Sequence, residues 1–406
     1  MANNHSKYYS SDEEDDEYLA GLVKSASAVL RGESVDENLV SVLRQAGADE
    51  CWHKHGSFLD HLLGVHRILT MWNAPSPVRL CGLFHSAYSN SYVNLAIFPP
   101  SKNGREIVLS HVGPAAESLI HLFCVVPRQH LIHDLIMSRY SDDAELVRHL
   151  SGIDDSWRAK VQSVCPAEGV KVKHIRTGED VVVPRRVVAV FLLLTMADFS
   201  DQLFGFQDVL FDNADGRLDF SGNNAGTCLW PGEGKPGLWL NYVSRMGAIY
   251  RLIVREEEMA TANNSTCTDD LPDLELVIPP VFNWCKAVVE SGDQVKARDL
   301  YWEAVCGGRA GQVEEEEKLL ESVEKNPFVG EPLLVLGQMY LGKGDFEAGE
   351  KAVRRGLRLM LEWGSPWDKR MTWQGWVAWG RVLLNKAKDR SWPQNGWGIL
   401  NLGLVT

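Results

Sequence analysis

No histidine follows His174, although the chain runs to 406 residues and carries 12 histidines up to that point. Metal or acid–base chemistry that relies on imidazole is therefore confined to the first half. None of the 8 cysteines forms a Cys-x-x-Cys pair, which argues against zinc ribbons and thioredoxin-like redox sites. In a chain of this size such scattered thiols read as reduced core residues of a cytosolic protein. Long apolar runs are missing as well: the longest, Val187 to Ala197, covers about eleven residues, against the roughly 20 that a membrane helix needs. The first residues, MANNHSKYYSSDEEDDE, contain no apolar stretch of the kind a secretory signal requires. Basic charge is in deficit, with 41 Lys and Arg against 54 Asp and Glu and a formal net charge of -13. No general nucleic-acid-binding surface and no membrane association are expected.

The rest of the composition, 45% hydrophobic and 23% charged, is ordinary for a globular protein, and the length suffices for two domains. Residues 1–17 read as a disordered acidic tail. Glu17 to Leu30 and Val35 to Ala46 predict two short helices packed on the first domain. Residues 18–259 form that domain, 260–275 a small polar linker, and 276–406 a second helical region. The fold class expected is all-α, with one interruption. VKVKHI alternates, RTGED turns, and VVVP is β-branched, so Val170 to Val183 predicts a small β-hairpin inserted among helices.

The chemistry-bearing stretch is Ser57 to Asn90. Phe58, Leu62, Val65, Leu69 and Trp72 recur at helical spacing, and His61 lies near the edge of that stripe. Pro75 and Pro77 end the helix. Val78 to Phe84 is apolar nearly all round, so it predicts a buried helix that ends on His85 and Ser86. Much later, Arg185 to Phe204 predicts another buried helix. Asp198 follows eleven nearly unbroken apolar residues, roughly as many as three helical turns hold. A carboxylate there costs several kcal/mol unless it is paired, hydrogen-bonded or metal-bound. Asp201, three residues on, shares its face. His111 is a further ligand candidate, set against a plain helix-start residue. His130, His133 and His149 read as surface residues. The Gly- and Asn-rich stretch from Asp212 to Pro236 is a candidate lid.

These residues resemble the pattern of the HD superfamily of metal-dependent phosphohydrolases: a His on one helix, a His-Asp pair ending a buried helix, and a distant Asp in an Ala-Asp stretch. The matching residues are His61, then His85-Ser86, then Asp198 in MADFSDQ. CGLFHSAYSN and LSHVGPAAESLIHLF are similar to segments of the hydrolase domain of the bacterial stringent-response (RelA/SpoT-type) enzymes, and a divergent plant and bacterial HD-like group is nearer still. The resemblance covers residues 55–205. It implies a divalent metal, Mn, Mg or Fe, on His61, His85 and Asp198. The family's fourth ligand falls on Ser86, and its acidic pair, which positions the attacking water, falls on Ser89 and Asn90. These three are the catalytic positions, and none carries a carboxylate.

In the second region PLLVLGQMYLGKGDFEAGEKAVRRGL resembles a tetratricopeptide repeat at Leu333, Leu336, Gly337, Tyr340, Gly344 and Phe346. Phe282 to Cys306 has the same helix–turn–helix cadence. Trp373, Trp376 and Trp379 step by three and line one helix face, either as a packed cap or as a surface for a protein partner. The expected function is a degenerate HD-like scaffold or ligand-binding pseudoenzyme with a protein-interaction repeat region. The alternative is a divergent metal-dependent phosphohydrolase acting on a nucleotide or another small phosphorylated substrate. An iron oxygenase, as in the inositol-oxygenase branch, needs more His and Asp ligands than this pattern supplies.

Overall fold

The structure is a computed structural model that describes residues 12–53, 56–91, 96–140, 142–152, 155–202, 240–262, 274–284, 288–306 and 312–393. These are mostly helical, as expected. The only strands among them form two antiparallel two-stranded ladders. One is the expected hairpin, β3 (Val170–Lys173) paired with β4 (Asp180–Val183) from Val170↔Val183 to Lys173↔Asp180. The other, β1 (Trp52–His53) on β2 (Gly56–Ser57), was not anticipated, because two residues are too few to show an alternating pattern.

Helix α3 (Phe58–Met71) starts at a capping box: the Ser57 hydroxyl accepts from the Asp60 amide, and the Asp60 carboxylate accepts from the Ser57 amide. This places His61 in the first turns of the helix. Helix α4 (Ser76–Leu83) begins beyond Pro75 and packs on α3. The contact is close because position 82 is glycine: a Cβ there would lie 2.3 Å from Leu69 Cδ1. Helix α8 (Arg185–Asp201) follows Pro184, is buried along nearly its whole length, and lies against α3, α4 and α9 (Leu240–Ala262). The remaining helices of this half are α1 (Asp12–Leu30), α2 (Glu37–Gln45), α5 (Lys102–Val125), α6 (Asp143–Ser151) and α7 (Ser156–Val164).

Several expectations are corrected. The acidic run is helical from Asp12, and Asp16 pairs with Arg354. Helix α1 lies mainly against the C-terminal half, where Leu19, Leu22 and Ala26 pack with Met71, Leu357 and Trp373. An apolar stripe needs an apolar partner, and this groove supplies it. Helix α5 starts at Lys102, capped by Ser101, and it kinks at Gly113 (φ 79°) ahead of Pro114. By length and mean hydropathy α5 alone meets the criteria for a membrane span among the described residues, which the reading by consecutive apolar residues missed. Much of it packs in the core, and it carries an Arg105–Glu117 ion pair. His149 is buried against Tyr140 and Ser156, and His133 is half-buried against Phe199 and Tyr242, not on the surface. His133 sits within a π-helical turn, His130–Ile136, where a 3.6-residue period does not hold. The lid candidate lies outside the described residues.

The C-terminal half holds α10 (Pro280–Trp284), α11 (Ser291–Cys306), α12 (Gln312–Lys325), α13 (Glu331–Lys343), α14 (Phe346–Trp363) and α15 (Trp373–Lys388). Helices α13 and α14 are antiparallel: Gly337 meets Val353, Gly349 meets Leu341, and Gly356 meets Gly330. A Cβ at Gly337 would lie 2.2 Å from Val353 Cγ2, so these glycines set the helix spacing. Trp373 and Trp376 are buried and Trp379 is partly buried, so the tryptophan face is a packed one.

The two halves share one hydrophobic core. Leu69 and Trp72 of α3, Val190 of α8, Phe282, Phe328, Trp363 and Trp367 belong to a single buried cluster. The Trp72 indole donates to the Glu362 carbonyl at 3.0 Å, and Arg67 Nε donates to the Gly364 carbonyl at 2.9 Å. Trp363→Ala is expected to cost about 3–5 kcal/mol and to lower the melting temperature of the whole chain in one transition by circular dichroism. A fragment ending at Ala262 should give no cooperative melt. Two separate transitions, only one of them shifted, would contradict a shared core.

Candidate metal centre

The last turn of α8 carries Asp198 and Asp201, and both point at His61 of α3. The His61 Nδ1–H donates to Asp201 Oδ2 at 2.8 Å, while Nε2 lies 3.1 Å from Asp198 Oδ1. Gln202 Nε2 also donates to Asp198 Oδ1, at 2.6 Å. His85, at the end of α4, meets His61 edge-on with ring centroids 5.2 Å apart. Its Nδ1–H donates to the Gly82 carbonyl at 2.7 Å. One ligand atom each from His61, His85 and Asp198 falls within 4.8 Å of the others, and all three residues are buried. The structure thus brings together the three residues singled out from the sequence, within a limit somewhat wider than the roughly 3–4 Å that separates ligands on one ion. His111 is exposed on α5 and stands outside the group.

The donor set fits a divalent ion. Each histidine has Nδ1 committed to an oxygen acceptor, which fixes the tautomer and leaves Nε2 for the site. This is the usual arrangement behind metal-binding imidazoles. Two imidazoles and one carboxylate suit iron, manganese or zinc better than magnesium.

Asp201 is the carboxylate behind the site, and its approach depends on a glycine. A Cβ at Gly64 would lie 2.1 Å from Asp201 Oδ1. Arg67 approaches the same carboxylate at 3.7 Å. Asp201 was legible from its spacing to Asp198, whereas nothing in the local pattern pointed to Gly64 or Arg67. The His53 ring, 4.5 Å from that of His61, was missed for the same reason as its strand.

Ser86, Ser89 and Asn90, the positions that the resemblance marked, bond with one another and with a neighbour. Ser86 accepts from Asn90 Nδ2 at 2.8 Å, and Asn90 Nδ2 also lies 3.5 Å from the His85 carbonyl. Ser89, in the left-handed region at φ 61°, accepts from Arg176 through its hydroxyl at 3.2 Å and its carbonyl at 3.3 Å. The nearby Glu117 is held by a two-pronged bond from Arg105, 2.7 Å on each oxygen, and by the Tyr88 hydroxyl at 3.0 Å. Arg128 is buried with its guanidinium 3.7 Å over Phe123, whose ring edges His85.

Burial alone would lower the His61 pKa, but its hydrogen bonds to Asp198 and Asp201 push it up to about 9. Burial acts the other way on the carboxylates and is overcome by His61, which holds Asp198 well below the usual range and Asp201 down at about 2. His85 is pushed down to about 4, first by burial. Without metal, then, a charged imidazolium sits between two carboxylates beside a neutral imidazole.

A family model described as a domain of unknown function (DUF6817) matches residues 42–128. That span takes in His61 and His85 and stops short of Asp198. No curated protein and no solved structure matches the chain.

Two predictions follow from the charges and the close approach. The raised His61 pKa adds stability that is fully present below about pH 6.5, the unfolded value, and is lost as pH rises through about 9. The lowered Asp198 and Asp201 pKa values add stability present above about pH 4 and lost as pH falls through their folded values. The metal-free melting temperature should therefore fall between pH 7 and pH 10, and this alkaline loss should be absent in His61→Gln. A profile identical in both proteins would refute the imidazolium. Gly64→Ala, which in an ordinary helix interior gains about 1 kcal/mol, should here lower the melting temperature because it displaces Asp201.

Proposed function

We propose that this protein is a metal-binding pseudoenzyme: an HD-like helical domain that holds a divalent ion on His61, His85 and Asp198 and uses it to bind a small phosphorylated ligand. The observation that carries the reading is the contrast within one pocket. The metal-ligand trio is complete and backed by Asp201 and the Gly82 carbonyl, whereas Ser86, Ser89 and Asn90 offer no carboxylate. Ser and Asn neither add charge to a metal nor accept a proton at neutral pH. Among the described residues, the other carboxylates nearby are committed, Asp201 to His61 and Glu117 to Arg105 and Tyr88. A bound divalent ion would polarise a ligand oxygen and lower the pKa of a bound water. The absence of a general base costs about 10²–10⁴-fold in hydrolysis.

The C-terminal helix pairs, with their tetratricopeptide-like cadence, belong to this reading as a brace for the pocket and, on their outer faces, as a surface for a protein partner in the cytoplasm. The packing of Trp363, Trp367 and Trp373 inside the molecule supports the bracing role. The alternative, a divergent phosphohydrolase, is favoured by the trio itself.

Metal analysis of the purified protein, followed by titration calorimetry with manganese, cobalt, iron and zinc, tests the reading. About one ion per chain is expected for a single mononuclear site, lost in His61→Ala, His85→Ala and Asp198→Ala. Because the ion must displace the His61 proton, affinity should rise with pH up to about 9. A wild-type protein that takes up none of these ions would overturn the proposal. Brisk nucleotide or phosphoester hydrolysis, abolished by His85→Ala, would establish the hydrolase alternative.

A further inference from the structure

The last four carbonyls of a helix have no partner within it and need donors from elsewhere. In α8 this last turn is the one that carries Asp198 and Asp201. Its Ser200 carbonyl accepts from Ser365 Oγ at 2.9 Å and from Lys369 Nζ at 3.0 Å. Both donors lie in the loop between α14 and α15, more than 160 residues away along the chain. The Lys369 ammonium also donates to Ser365 Oγ. A cation at a helix C-terminus is favourable in its own right.

The loop is fixed on both sides. Glu331 accepts from the Trp367 amide at 2.6 Å and from the Asp368 amide at 3.0 Å. The Trp376 indole donates to the Asp368 carbonyl at 3.0 Å. Gly364, at φ 69°, rests on the α3 backbone: a Cβ there would lie 3.1 Å from Ile68 Cα. Arg67 of α3 bonds the Gly364 carbonyl and approaches Asp201. The loop therefore touches α3 next to Asp201's cation and α8 at the turn that bears both carboxylates.

We propose that Ser365 and Lys369 are positioning residues for the metal centre: by capping the last turn of α8 they set where Asp201 holds the His61 ring and where Asp198 meets the ion. The C-terminal half is in this sense part of the site. The proposal rests on the reading of His61, His85 and Asp198 as metal ligands. Burial lowers the Lys369 ammonium to about 8, with Asp201 opposing, so it remains the charged donor at neutral pH.

The test uses the full chain, with cobalt as the probe and two readouts. One is cobalt affinity together with the visible absorption bands that report ligand geometry. The other, independent of metal, is the proton resonance of the His61 Nδ1–H. Lys369→Met should weaken cobalt binding roughly 10–100-fold, the usual effect of losing an outer-shell partner, and should shift both the bands and the ring proton. Ser365→Ala should act in the same direction. Lys369→Arg, which keeps charge and donors, should restore affinity, bands and proton. Unchanged readouts in Lys369→Met would overturn the proposal. Equal losses in the Met and Arg variants, with equal falls in melting temperature, would also overturn it, since they mark packing alone. If the wild type binds no cobalt, the metal reading fails, and the ring proton decides the positioning role. A proton unmoved in Lys369→Met refutes that role; one moved by Met and restored by Arg supports it.

Discussion

The structure is arranged around two carboxylates buried one turn apart at the end of an apolar helix. Left alone, Asp198 and Asp201 would each cost several kcal/mol. His61 answers both, with one ring nitrogen for each. This requires α3 to start where it does, and the Ser57–Asp60 capping box fixes that start. It also requires the helices to come close, which glycines at 64 and 82 permit. The carbonyl of Gly82 then orients His85, so one residue serves both the packing and the site.

The charge around this centre is balanced from several elements. Asp201 has His61 on one side and Arg67 on another, with Lys369 close behind the same turn. Asp198 has His61, Gln202 and the field of buried Arg128. Such an arrangement keeps both carboxylates ionised in a dry setting, the state a metal ligand and its outer-shell partner need. Among the described residues, the other carboxylate nearby, Glu117, is likewise held by proton donors, Arg105 and Tyr88.

The helical stripes, the isolated Asp198 and the resemblance to the HD pattern together made the group of His61, His85 and Asp198 legible in the sequence, and the three-residue step exposed Asp201. What surrounds them was hidden for definite reasons. Lys369 and Ser365 reach Ser200 across more than 160 residues of chain, and no local pattern records such a pairing. The β1–β2 ladder is too short for a period, and the polar sequence around His133 and His149 gave no sign of the aromatic rings that pack against them. The hairpin at Val170–Val183 was plain because alternation and a turn occur together. The tryptophan face was also plain, but its covering was not, because periodicity shows which side is apolar and says nothing of what lies against it. The polar stretch after α9 suggested two independent bodies; the core that runs from Trp72 to Trp363 has no counterpart in composition.

Helix α1 has a consequence for how the chain is made. Its Tyr18 hydroxyl bonds Glu362, a partner 344 positions later. At roughly 5–20 residues per second, α1 leaves the ribosome some tens of seconds before its groove exists. During that time Leu19, Leu22 and Ala26 lack the α14 and α15 side chains that pack with them. Helix α1 is made well before its groove and docks late, with its apolar stripe set beside a dense run of acidic residues.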